Sequence, residues 1–167
     1  PQLAADLCHR RANLALAQAF GLPLIWELGA HNDNRSVNSA AERAGVPMIA
    51  AELGGGGGVD PDITDAAEAG LLRCLGHLGI LGDAPALVEA RRVEVTSGLH
   101  SIYAPGTGVF DRAIRAGQDV RAGDIAGQFH FVMEPERASR TIRFPADGLV
   151  LAHSCRGNVQ RGELLAL

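Results

Sequence analysis

Val46-Pro47-Met48-Ile49-Ala50-Ala51-Glu52-Leu53-Gly54-Gly55-Gly56-Gly57-Gly58 decides the fold. Residues 46–53 form an apolar run of strand length that carries one carboxylate, and five glycines follow directly. Asp60 then suits an N-cap, with Pro61 at the first helical position. Ile63, Ala66, Ala67, Gly70, Leu71, Cys74, Leu75 and Leu78 recur at three- and four-residue spacings, so the pattern predicts an amphipathic helix over 61–79. Upstream, residues 3–20 contain no Gly or Pro and predict a helix that Gly21 ends. Residues 22–28 predict a buried strand. His31 to Arg35 read as a loop, Ser36 as the N-cap of a short helix over 37–44, and Gly45 as its stop. Strand, helix, strand, helix in that order predicts a parallel sheet with helices packed on it.

After a connector the pattern changes to short β-type runs between turn residues, beginning with Val93-Glu94-Val95. These runs contain a repeat. Ile102 to Phe110 matches Ile142 to Val150. Pro105 and Pro145, Gly108 and Gly148, and Gly117 and Gly157 are each 40 residues apart. Neither copy can bury its apolar face alone, so the two are expected to close on each other. The pattern resembles the barrel-sandwich hybrid fold of lipoyl and biotinyl carriers. The fold class expected is therefore α/β + β. Residues 1–82 are part of a parallel or mixed sheet with helices, 83–92 a connector, and 93–167 an all-β module.

Composition narrows the chemistry. Apolar residues make up 47% of the 167 and charged residues 20%, enough to fold a globular core. The formal net charge is −4, which argues against nucleic-acid and anionic-membrane partners. No run of 18 apolar residues is present to cross a membrane. All 15 basic residues are arginine, so Schiff-base chemistry, Walker-type phosphate contacts and lysine-borne prosthetic groups are excluded. An acyl-carrier role fails on that ground. The three cysteines are far apart, which suits a reducing cytoplasm.

Ligands of open α/β sheets bind beyond the carboxyl ends of the strands. Glu52 stands there, where partial desolvation would suit a general base acting on water. The bland alternative is a structural glutamate before a simple loop. Gly54 and Gly55 would let a substrate approach the backbone. Position 59 is Val, which breaks the dinucleotide glycine spacing. Arg35 is a candidate clamp for a substrate carboxylate, or else a solvated arginine. Tyr103, the single tyrosine, either reaches a site at the domain interface or packs. The histidines form no His-x-x-Glu, His-x-His or His-Glu-x-x-His pattern. Glu27, His31 and Glu52 are candidate metal ligands at the ends of neighbouring strands, but no metal site is expected in this chain. Cys74 reads as inert core.

The segment Ala40 to Gly57, the helix ending Leu75-Gly76-His77-Leu78-Gly79-Ile80-Leu81, and the β module with Ala104 to Phe110 and Gly117 to Asp124 resemble the succinylglutamate desuccinylase/aspartoacylase family. The resemblance implies relatives of the zinc carboxypeptidases. It implies a carboxypeptidase-like α/β domain, then a β domain over the active site. It also implies zinc-assisted hydrolysis of the linear amide of a small-molecule N-acyl amino acid, with Glu52 at the general-base position. The family's His-x-x-Glu pair and later His lie N-terminal to the matched region. The chain is thus expected to be the C-terminal part of such an enzyme, with zinc in the parent protein and no activity alone. A cytoplasmic location and a homo-oligomer are expected with it. The alternative is a non-catalytic binding or assembly module.

Overall fold

A computed structural model describes residues 2–3, 7–28, 33–96 and 98–167. The chain divides into two compact units, Pro1–Thr96 and Ser97–Leu167.

The first unit opens with β1 (Gln2–Leu3), α1 (Leu7–Phe20) and β2 (Leu24–Glu27), followed by α2 (Val37–Arg43), α3 (Pro61–His77) and β3 (Arg91–Glu94). Its sheet is parallel in the order β1-β2-β3. Gly21 stops α1 with φ +71°, a left-handed conformation that suits glycine. Ser36 Oγ accepts the Ser39 N–H at the start of α2. Asp60 caps α3 by accepting from the Asp62 and Ile63 N–H groups at 3.0 and 3.3 Å.

Helix α3 packs on α1 through two features. Gly70 sits so close that a Cβ there would lie 2.8 Å from the Phe20 carbonyl oxygen. Arg73, only 7% exposed, donates from Nε to the Ala19 oxygen at 3.1 Å and from Nη2 to the Phe20 oxygen at 2.6 Å. A buried guanidinium thus satisfies carbonyls that end a helix and faces the negative end of its dipole. Ala17 and Ile25 form the core beneath, with Leu14, Ile49 and Ala90 against them.

Three sequence expectations need correction. The first helix begins at Leu7, because Gln2 and Leu3 pair with Trp26 and Glu27. Residues 46–53 make no strand ladder among the described residues. They carry a single bridge at Ala50. Pro47 has no N–H to donate, the Met48 N–H goes to Asn13 Oδ1 at 2.9 Å, and Ile49 supplies the core contact. Finally, residues 91–94 belong to the first unit. Their register against β2 runs from Leu24↔Arg91 to Glu27↔Glu94, so the division falls after Thr96 rather than within 83–92.

The second unit contains β4 (Ile102–Tyr103), β5 (Gly108–Arg112), β6 (Asp119–Val120), β7 (Ile125–His130), β8 (Arg140–Arg143), β9 (Gly148–Leu149), β10 (Asn158–Val159) and β11 (Leu164–Ala166). They form a sheet in the order β10-β5-β7-β8 and two pairs, β11-β4 and β6-β9. No closed barrel is formed among the described residues. The sequence repeat recurs in the pairing. Gly108 pairs with Val159 and Gly148 with Val120; Tyr103 pairs with Leu164 and Arg143 with Ile125. All four of these pairings join one copy to the other. Phe129, Ile142, Val150, Val159 and Leu165 are buried in the shared core.

The repeat is not symmetric in packing. A Cβ on Gly108 would lie 2.1 Å from the His130 carbonyl oxygen, whereas Gly148 has nothing within 4 Å. Gly108→Ala is therefore expected to destabilise the second unit by about 1–3 kcal/mol in urea unfolding. Gly148→Ala should stay within about 0.5 kcal/mol of the parent chain. Equal effects at the two positions would contradict this packing.

Candidate active site

The candidate residues of the first unit sit on the loops that follow its extended segments. Glu52 ends the 46–53 segment with an exposed side chain, so the desolvation expected from sequence is not met by this chain. The glycine run has a backbone reason. Gly54, Gly56 and Gly57 adopt φ +83°, +73° and +79°, where a Cβ is strained. A side chain at Gly54 would also press on Ile63 Cδ1 at 3.2 Å, whereas Gly55 has open space around it. The loop thus reverses behind Glu52 and leaves bare backbone beside the carboxylate.

Arg35 is already engaged. Its Nε and Nη2 donate to the two oxygens of Asp33 at 3.1 and 2.8 Å, and its backbone N–H donates to Oδ1 at 2.8 Å. The Arg35 side-chain bonds, then its backbone N–H, hold Asp33 below the usual carboxylate range, and Asp33 raises Arg35 in turn. A substrate carboxylate at Arg35 would share the guanidinium with Asp33.

Glu27 is not a spare metal ligand. Its Oε1 accepts from Arg92 Nε at 2.7 Å and from Nη2, and its Oε2 accepts from Arg10. Burial pushes its pKa up, but the bonds from Arg92 and Arg10 and their charges outweigh that, so the net shift is downward. The sequence separations of 17 and 65 residues hide this triad from any local motif. Strand pairing at β2–β3 and the approach of α1 create it. His31 lies outside the described residues. Among the described residues, no group of three His, Cys, Asp or Glu side chains is placed to hold a metal ion. They do not assemble the zinc centre that the family resemblance implies.

The remaining candidates have local roles. Cys74 is partly buried, and its thiol faces the Leu16 carbonyl at 3.5 Å. Burial pushes that thiol up, with Arg73 opposing. His77 is the last residue of α3. His130 Nδ1 meets Ser139 Oγ at 2.8 Å on the face of the second unit. Tyr103 is 54% exposed and lines a cavity formed by second-unit residues alone.

No family model matches the chain. Over 97% of this chain it is 26% identical to the N-alpha-acetyl-L-2,4-diaminobutyric acid deacetylase of Halomonas elongata, and it covers 48% of that protein. A succinylglutamate desuccinylase/aspartoacylase from Rhodobacter sphaeroides matches 100% of this chain and 51% of its own, with a TM-score of 0.89 at 29% identity. The resemblance to succinylglutamate desuccinylase/aspartoacylase proteins holds. The product-bound ectoine utilization protein EutE (DoeB) of Ruegeria pomeroyi gives 0.90 at 25% identity, over 99% of this chain and 51% of that one. The chain spans about half the length of these relatives, and a C-terminal part of such a protein fits that coverage. No described helix is long and apolar enough to cross a membrane.

The Glu27 triad yields a pH test. A depressed folded-state pKa contributes stability above the usual glutamate value of 4.5, and that contribution is lost as pH falls through the folded pKa. The stability difference between the parent chain and Glu27→Gln, from urea unfolding at stepped pH, should be largest above 4.5 and shrink below it. A difference independent of pH would show that the carboxylate charge does not stabilise the unit.

Proposed function

We propose that this chain is part of an amide hydrolase that releases the acyl group from N-acyl amino acids. The observation that carries the proposal is the match over 97% or more of the chain to a named deacetylase and a named desuccinylase/aspartoacylase. On this reading the first unit contributes the C-terminal part of a carboxypeptidase-like α/β domain. The second unit, with its duplicated pairings, is a barrel-sandwich-hybrid-like module.

Glu52 is the general base of the proposal. Its carboxylate takes a proton from the water that attacks the amide carbonyl and returns it to the leaving nitrogen. The bare backbone at Gly54 and Gly55 gives substrate room beside that carboxylate. Arg35, held by Asp33, offers its remaining N–H groups to the substrate carboxylate. Because Glu52 is exposed here, desolvation of the carboxylate must come with substrate or with further polypeptide. The zinc of the proposed parent protein would have to be held by polypeptide beyond the described residues.

The test uses the polypeptide of the relatives' full length that carries this sequence, assayed on N-acetyl amino acids. Glu52→Gln is expected to lower kcat by about 10² or more. Full activity in the variant would remove Glu52 from the mechanism. The 167-residue chain alone is expected to show no turnover, and turnover by it would overturn the division of the site.

A homo-oligomer belongs to the same proposal, motivated by the exposed apolar side chains Leu71, Leu78, Ile80, Leu87 and Val88 in the first unit. Sedimentation velocity should find a dimer or larger species; a strictly monomeric protein would refute it.

A further inference from the structure

A cavity of about 300 Å³ opens in the second unit, with Ile102, Tyr103 and Pro105 on one side and Arg140 to Arg143 on the other. Its walls are β4 and β8. Each is the last strand of its sheet and has a hydrogen-bonded neighbour on one side only. An end strand carries a row of backbone N–H and C=O groups with no ladder partner. Here two such end strands border one groove.

The repeat explains why they meet there. Ile102 corresponds to Ile142, Tyr103 to Arg143 and Pro105 to Pro145, each 40 residues on. Ile102 and Ile142 are buried at 8% and 6% exposure and contribute the apolar part of the lining. The counterparts Tyr103 and Arg143 differ, which makes one wall aromatic and the other cationic. Arg143 donates from Nη1 to the Gly123 carbonyl at 2.8 Å and keeps its other N–H groups. Arg140 is exposed and has no carboxylate partner among the described residues. Among the described residues no acidic side chain lines the groove.

We propose that this groove binds an extended acidic peptide, which adds as a strand between β4 and β8. Size, backbone chemistry and charge agree on this occupant. An extended residue within a sheet occupies about 160 Å³, from a rise of about 3.3 Å, a strand spacing of about 4.8 Å and a layer of about 10 Å. The cavity therefore holds about two residues, which matches the two-residue length of β4. A peptide backbone supplies donors and acceptors to both open strands, and a free carboxylate supplies none of the donors. Side chains of an added strand alternate in direction. An apolar residue turned to Ile102 and Ile142 leaves its neighbours turned to the other face, where acidic groups meet Arg143, while Arg140 borders the groove at the start of β8.

The test is fluorescence anisotropy on the 167-residue chain with a fluorescein-labelled, end-capped hexapeptide of alternating Glu and Val. Saturable binding that weakens with added salt is expected. The double variant Arg140→Glu, Arg143→Glu should weaken it by about tenfold or more. Methylation of alternate backbone nitrogens of the peptide should weaken it by a similar factor. Three results would each overturn the proposal. They are no saturable binding to the parent chain, unchanged affinity for the N-methylated peptide, and equal affinity for the corresponding Lys and Val peptide. If circular dichroism shows the double variant unfolded, Arg140→Gln carries the charge test, because that side chain is exposed; unchanged binding there would also count against the proposal.

Discussion

The first unit depends on one buried cation. Arg73 reaches from α3 to the carbonyls of Ala19 and Phe20, where α1 ends and the chain turns through Gly21 into β2. A guanidinium taken out of water is costly unless its N–H groups are satisfied. Here the satisfying acceptors are carbonyls that the helix terminus would otherwise leave without an intrahelical partner. The same contact sets the separation of two helices, since Gly70 admits Phe20 at a distance that a side chain would forbid. The position of α1 then fixes Arg10 beside Glu27 and Asn13 beside Met48. The extended segment leading to Glu52 is thus anchored by helix side chains more than by a strand ladder.

Local chemistry was the most legible part of the sequence. Ser36 and Asp60 cap helices because a short oxygen-bearing side chain can reach an exposed N–H. Gly21 and Gly45 end helices because the left-handed turn excludes a Cβ without strain. The duplicated β pattern also came through, since its glycines and prolines mark turns that recur 40 residues on. Long-range choices were less legible. Residues 46–53 have the composition of a buried strand, but composition cannot say whether a neighbouring strand is available to pair. Val93 to Val95 read as the first run of the β module, and only the pairing with β2 joins Arg91 to Glu94 to the first unit.

The candidate site divides along the same line. Glu52 could be located from sequence because its strand-like run and glycine run are contiguous. Its exposure could not, since burial depends on what else covers the loop. The Arg35–Asp33 pair is two residues apart and reflects a local turn, whereas the Glu27 triad draws on α1, β2 and β3 together. Neither the triad nor the groove beside Tyr103 has a contiguous motif. The repeat match equates Tyr103 with Arg143, but equivalence in sequence does not reveal that the two line one groove.

The cross-copy pairing of the second unit has a consequence for biogenesis. Val109 pairs with Asn158 and Ile102 with Ala166, so strands near the start of the module wait for strands near its end. Contacts of such large sequence separation make folding slow, because much chain must be ordered before they form. During synthesis the first copy emerges from the ribosome with its apolar face unsatisfied and remains so until β11 follows. Transiently exposed apolar surface of this kind is prone to aggregate, so the interval between emergence of the first copy and arrival of β11 is one in which misassembly competes with folding.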